Sequence, residues 1–398
     1  MGDVYLVGAV MTRIGRRPES LPDLMAEAAR GALTRASVDR PDALVVSCMN
    51  PEEFLGEGNF AAHVGTHLGL SRVPSLRAET ATSSGAAALF TAFVAVAAGV
   101  YRTVLVVGGE KMTHLPTPRV SELIGRSIDS YERSYGATMP ALAALVTRAW
   151  MARTGTTVRE FSLVAVKNHD HGARNPWAHF QERVTLDTVM ASRMVADPLR
   201  LYHCCPISDG AAAVVVRAER APVRIAGIGQ GSDYLPIRYR DDFTGFRATQ
   251  DAAQAAYRMA GFGPERVDVA ELHDAFAPFE LISMEDVGLA PAGKAGRMVA
   301  EGETALDGRL PINPSGGLKA RGHPLGATGV AQVVELCWQL TEEATGRQVP
   351  ARVGLAHSIG GLATSNWVTL LERVPAGPAA RPPAGGAGRD TRPPAAAG

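Results

Sequence analysis

The sequence predicts an α/β fold built from two similar halves. Three observations carry that prediction. Short runs rich in Val, Leu and Ile alternate with longer stretches of helical composition. The short runs are apolar on both faces, as a sheet covered by helices requires. Three features then recur in the same order in each half: a strand, polar loop and helix at 41–55 and 267–281, a Gly/Ser/Thr loop opening a small-residue helix at 82–93 and 322–336, and a strand ending in paired glycines at 104–112 and 353–361.

The strand runs are VYLVGAV (4–10), ALVVS (43–47), TVLVV (103–107), AAAVVV (211–216), VRIAGI (223–228), VDVAEL (267–272), RVGLA (352–356) and WVTLL (367–371). Helices are expected at 22–36, 85–97, 250–260, 278–287 and 326–340. The nearly apolar run 86–100 is too short to span a bilayer and carries a Thr, so it reads as a buried helix. The segment 113–200 has no counterpart in the second half and reads as an insertion. The expected organisation is a first half over 1–220 with a loop-domain insertion at about 113–200, a second half over 221–374, and a disordered Pro/Ala/Gly-rich tail over 375–398.

Composition excludes several classes. The chain has 398 residues, of which 46% are hydrophobic and 20% charged, so it can bury a large core. Forty basic residues balance forty acidic ones, which removes the footprint of a nucleic-acid binder. The four cysteines are too few and scattered for a disulfide framework, and no targeting or membrane segment is legible. A cytoplasmic protein is expected.

The most informative stretch is NPSGGLKARGHPLGATG (313–329), with five glycines, two prolines and one histidine, opening a helix. Glycines let backbone approach a ligand closely, and helix-opening amides stabilise negative charge. His323 at such a point can act as a base or polarise a carbonyl. The alternative is a tight loop with a packing histidine.

This stretch resembles the signature of the thiolase superfamily, and NPSGGLKARGHP resembles its sterol-carrier-protein-type branch. VLVVGGEKM (104–112), SRMVADPLRLYHCCPISDGAAAVVV (192–216), ELHDAFAPFELISMEDVGL (271–289) and GLAHSIGG (354–361) agree with it. The resemblance implies a five-layered αβαβα core of two similar halves, a loop domain inserted in the first, and a homodimer. It implies an acyl-CoA thioester as substrate, Claisen or retro-Claisen acyl transfer, no cofactor, and for some relatives a small OB-fold partner.

The cysteines that the resemblance calls for are missing. Thr82 stands where family members carry the nucleophile, followed by Ser83 and Ser84; Ala275 and Ser358 fill the other two family positions. A helix N-terminus can bring a thiol of pKa about 8.5 near neutrality. Its contribution of at most ~2 kcal/mol falls far short for a hydroxyl, which needs a hydrogen-bonded base. His323 or His357 is a candidate base; otherwise Thr82, Ser83 and Ser84 form only a helix cap. Cys48, Cys204 and Cys337 read as core.

Among the retained positions, the resemblance gives His323 the role of polarising the thioester oxygen or moving protons. It gives His273 the holding of a water near the carbonyl, and the amides of Thr82 and Gly360 an oxyanion site. His357 is typical of the branch, with a catalytic role and a loop-orienting role both open. Asn313, Gly316, Gly317 and Gly322 are expected to bind substrate. The cluster Lys167-Asn168-His169-Asp170-His171 lacks a second group at metal-ligand spacing, so no metal is expected. Arg119, Arg126, Arg133 and Lys167 are candidates for the CoA phosphates or for solvated surface.

Three functions follow. The first is a thiolase-like acyltransferase working without the usual cysteine. The second is an aldol-type lyase or synthase on a CoA thioester, which needs a base and an enolate site but no nucleophile. The third is a non-catalytic subunit supporting a partner.

Overall fold

The computed structural model describes residues 2–375. The expected tail from residue 376 onward lies outside them.

Eleven strands form two sheets among the described residues: β1 (Tyr5–Met11), β2 (Ala43–Ser47), β3 (Ser75–Ala78), β4 (Thr103–Glu110), β5 (Met194–Ala196), β6 (Leu199–Arg200), β7 (Gly210–Arg217), β8 (Val223–Ser232), β9 (Val269–Glu271), β10 (Val353–Gly360) and β11 (Ser365–Arg373). The large sheet runs β3-β2-β4-β7-β1-β8-β11-β10-β9, and β5 with β6 makes a separate hairpin. The large sheet joins its two halves only through Tyr5↔Arg224 and Leu6↔Val223 of β1 and β8.

The halves repeat one plan. In the first, β2 is parallel to β4, β4 antiparallel to β7, and β7 antiparallel to β1. In the second, β9, β10, β11 and β8 repeat that order and those directions. The repeat read from the sequence pairs these same strands. The edge strand β3, missed in the sequence because SLRA is half exposed, is matched in the second half by a single bridge between Ala270 and Ile312.

Helices fill the layers between and outside the half-sheets. The helix Leu21–Ala36 covers one outer face and Arg247–Ala260 the other. Between them lie Ser84–Ala97 and Leu325–Leu340. Every residue of Leu325–Leu340 is buried, as the central layer of a five-layered α/β fold demands. The inserted segment is mostly helical, with Met139–Thr154 and Val158–Ala173 packed against the second half.

Candidate active site

Two helix N-termini meet over one cavity because two glycines let the helices touch. A Cβ on Gly85 would stand 2.8 Å from the Val330 nitrogen, and one on Gly329 would stand 2.4 Å from the Ala86 nitrogen. The start of Leu325–Leu340 is then pinned from below. Glu110 accepts the amides of Gly326 at 2.9 Å and Met49 at 2.8 Å, while Ser47 Oγ donates to the Gly326 carbonyl at 2.7 Å. The partial positive charges of both helix starts favour negative charge in the space between.

That space is a cavity of about 180 Å³. Met112, Ile124, Met139, Phe276, Phe279 and Leu325 make its walls apolar; Thr82, His273, His323, Cys204 and Cys205 supply polar atoms. It is smaller than the roughly 300–1,000 Å³ of sites for whole drug-sized ligands, so it suits a reacting acyl group.

His323 is held at two points. Its amide donates to Ser208 Oγ at 3.2 Å, and Nδ1 lies 2.7 Å from Thr328 Oγ1. The Thr328 hydroxyl also lies 3.0 Å from the Pro324 carbonyl, which can only accept. Assigning the hydroxyl proton to that carbonyl makes Nδ1–H the donor to Thr328 and leaves Nε2 as a lone pair. Nε2 makes no hydrogen bond to a described residue and is not sealed from the cavity. Burial, with Arg321 adding to it, lowers the His323 pKa to about 3, so the ring is neutral near pH 7.

His273 sits in the loop after β9, its ring perpendicular to that of His323 with centroids 5.0 Å apart. Burial, reinforced by His323, holds its pKa well below the ordinary value. The next residue explains the loop: Asp274 accepts the amides of Leu318 at 2.6 Å and Lys319 at 3.2 Å, and Asn168 Nδ2 at 2.7 Å. It thereby ties the His273 loop to the turn that leads into His323. Burial raises the Asp274 pKa to about 6, with Glu280 adding to the rise.

The hydroxyl row is turned inward. Thr82 Oγ1 donates to the Ile359 carbonyl at 2.6 Å. Ser83 Oγ lies 2.8 Å from the carbonyls of Thr80 and Ser365, and Ser84 Oγ reaches the Ala81 carbonyl at 2.5 Å. No imidazole lies within hydrogen-bond distance of Thr82 Oγ1 among the described residues. The cap alternative is also altered: Ser83 occupies the cap position, but its side chain makes no capping bond. The Thr82 amide makes no hydrogen bond to a described residue, and Thr82 lines the cavity.

Three expected groups lie elsewhere. Ser358 Oγ donates to Gln332 Oε1 at 2.6 Å, away from the cavity. His357 Nε2 lies 3.0 Å from Thr249 Oγ1, which in turn accepts from Asn366 Nδ2 at 2.7 Å; the imidazole is fully buried behind β10. The Gly360 amide points at Asn366 Oδ1, 3.3 Å away, because β11 brings that side chain beneath it. Gly361, one residue on, lines the cavity instead.

The glycine loop is built for packing. Asn313 bridges the Leu272 amide through Oδ1 and Glu280 through Nδ2, both at 2.7 Å. A Cβ on Gly316 would meet Gly172, one on Gly317 would stand 2.4 Å from Asp274 Oδ2, and one on Gly322 would meet Ile14 and Ser208. None of these four residues lines the cavity, so they position His323 and do not themselves face a ligand there.

Cys204 corrects its reading as core, since it and Cys205 both line the cavity. The Cys205 amide donates to the Ala275 carbonyl at 2.9 Å, a pairing across 70 residues that no local pattern signals. Burial pushes the two thiols up to about 11 and about 12. The inserted segment contributes Ser121, Thr138 and Pro140 to the wall. Its cations are otherwise engaged: Arg119 pairs with Glu122 at 2.6 Å, Arg126 pairs with Glu53, Arg133 donates to the Ile128 carbonyl, and buried Lys167 holds Glu280 at 2.9 Å. No cluster of three or more metal-ligating side chains is present among the described residues, and no helix among them is long and apolar enough to cross a membrane.

Comparison with known proteins places this geometry. Residues 4–220 match the thiolase N-terminal domain and 229–373 the thiolase C-terminal domain-like family. The chain is 40% identical over 386 residues to an acetyl-CoA acetyltransferase of Methanothermobacter thermautotrophicus, covering 94% of this chain and 100% of the relative. It is 36% identical to sterol carrier protein 2 of Bos taurus, covering 90% of this chain and 70% of the relative. Among solved structures, the Ltp2-ChsH2(DUF35) aldolase superposes with a TM-score of 0.80 at 25% identity, covering 94% of this chain and 98% of that one. The chain therefore belongs to the thiolase superfamily of acyl-CoA-dependent acyltransferases, in its sterol-carrier-protein-type branch.

Proposed function

We propose that this enzyme makes or breaks the bond to the α-carbon of a CoA thioester through a bound enolate, without an acyl-enzyme. The observation that carries the reading is the contrast at the cavity wall: Thr82 gives its hydroxyl proton to a carbonyl, while His323 Nε2 is left open. A hydroxyl without a base is a poor nucleophile, but enolate formation needs only a base and donors for the oxygen.

In this reading His323 Nε2 takes the α-proton. The Thr82 amide and His273 hold the thioester oxygen as charge moves onto it. The apolar walls exclude water, which strengthens both effects. The enolate carbon then attacks a second carbonyl, or in reverse is released by cleavage of that bond.

The second carbonyl decides the reaction name. A thioester gives Claisen acyl transfer: its C–S bond breaks and its CoA leaves as the thiol with the proton held on His323, in keeping with the relative named an acetyl-CoA acetyltransferase. An aldehyde or ketone gives an aldol reaction, favoured by the lack of a nucleophile and by the similar aldolase structure. Product analysis separates them. The Claisen reading expects a β-ketoacyl-CoA from acyl-CoA alone; the aldol reading expects a β-hydroxyacyl-CoA only when an aldehyde or ketone is added. Absence of both products and of α-proton exchange leaves the supporting-subunit reading. A homodimer and a small OB-fold partner, the latter in line with the DUF35 assembly of the similar structure, belong to the same proposal and are tested by co-purification and sizing.

A further inference from the structure

Bond formation at the α-carbon charges two oxygens. The thioester oxygen is held by the Thr82 amide and His273 in the reading above, while the oxygen of the second carbonyl still needs a donor. Most other polar side chains of the cavity wall are spent or lie in solvent. Thr82 Oγ1 donates to the Ile359 carbonyl at 2.6 Å, and the Cys204 thiol donates to the Arg200 carbonyl at 3.6 Å. Ser121 and Thr138 are exposed. Cys205 differs from all of these: it lines the cavity, and its thiol is free and makes no hydrogen bond to a described residue.

The backbone fixes where that thiol stands. Pro206 restricts Cys205 to extended backbone. The segment 204–207 then runs between the two histidine loops. On one side Cys204 bridges Phe276 in antiparallel sense, and the Cys205 amide donates to the Ala275 carbonyl at 2.9 Å, two residues past His273. On the other side Ile207 bridges His323 in parallel. Residues opposed across an antiparallel pair present their side chains on one face. Cys205 and Ala275 both line the cavity, and Ala275 offers only a methyl, so the thiol is the polar group of that pair. Burial pushes the thiol up to about 12, which keeps its proton in place near pH 7 and makes it a donor rather than a nucleophile.

We propose that the Cys205 thiol is the donor for the oxygen of the second carbonyl. The inference rests on the enolate reading above. In an aldol step the enolate carbon bonds to the second carbonyl carbon, and the C=O π pair moves onto oxygen. That oxygen takes the thiol proton, and the S–H pair stays on sulfur. The thiolate then recovers the proton that His323 removed from the α-carbon. In a Claisen step the C=O re-forms as the C–S bond breaks, so the thiol lends a hydrogen bond and keeps its proton.

The experiment measures two rates for the full chain and its C205A and C205S variants: α-proton exchange of acetyl-CoA in D2O, and C–C product from acetyl-CoA alone or with propanal. Exchange needs no second carbonyl, so it also reports that each variant has folded. The expected result is a ratio of product to exchange about 10²-fold lower in C205A, with part of it returned in C205S, which keeps a donor at the same place. A ratio unaltered in C205A, including a common fall of both rates, overturns the inference and gives Cys205 a structural role. So does a C205S ratio as low as that of C205A. Exchange without either product in the unaltered protein also overturns it, and leaves the enolate reading intact. Absence of exchange removes both.

Discussion

The two turns that open the central helices, 80–84 and 322–326, share a plan and end with opposite chemistry. Each follows a polar loop, each starts a helix of small residues, and the two helices touch at Gly85 and Gly329. In the first turn the hydroxyls of Thr82, Ser83 and Ser84 are spent on nearby carbonyls, and that of Thr80 pairs with Ser83 Oγ. In the second, the histidine is anchored through its amide and Nδ1, so Nε2 alone is offered to the cavity. Anchoring that consumes every functional atom makes a structural turn; anchoring that leaves one free makes a reactive one. Among the first turn's backbone amides, that of Thr82 makes no hydrogen bond to a described residue.

Variants can break this contrast, and the largest effect is expected at His323. H323A removes the base and should lower α-proton exchange by about 10²–10⁴-fold, measured by NMR or mass of the recovered thioester. H273A removes one of the groups holding the enolate oxygen and should cost about 10²–10³-fold. T82V keeps the amide and discards the hydroxyl. It should change exchange only a few-fold and cost about 1 kcal/mol of stability, read by denaturant unfolding. S358A should leave exchange unaltered, since that hydroxyl faces Gln332.

The pH profile sharpens the same point. A base of ordinary imidazole pKa loses about tenfold of its active form between pH 7.5 and 5.5. Burial holds His323 at about 3, and a lowered pKa keeps the lone pair free as the solution turns acid. Initial exchange rates should therefore be nearly flat over that interval.

Much of this was legible in the sequence. The strands at 43–47 and 103–107, the two central helices and the internal repeat follow from apolar runs and small-residue helices, which local composition encodes directly. His323 stood out because a glycine-rich turn opens a helix there, whereas His273 was legible only through the resemblance of HDAF (273–276) to the family motif. What composition hides is where a side chain is spent. Ser358 and Thr82 look alike as hydroxyls near a site; only the positions of Gln332 and the Ile359 carbonyl separate them from the chemistry. Asn366 takes the Gly360 amide because a hairpin register places it there. Cys204 reads as core from its neighbours, yet the pairing of Cys205 with Ala275 turns that corner toward the cavity. The inserted segment hid its helices because no repeat elsewhere in the chain marks them.

The most direct test of the central claim is one incubation of the protein with acetyl-CoA and a few longer acyl-CoAs in D2O, followed by two mass measurements. The account predicts deuterium at the α-carbon of the recovered thioester and an intact-protein mass unchanged by any acyl group. An acyl adduct mapped to Thr82, Ser83 or Ser84 would contradict it, because a hydroxyl of the first turn would then be the nucleophile.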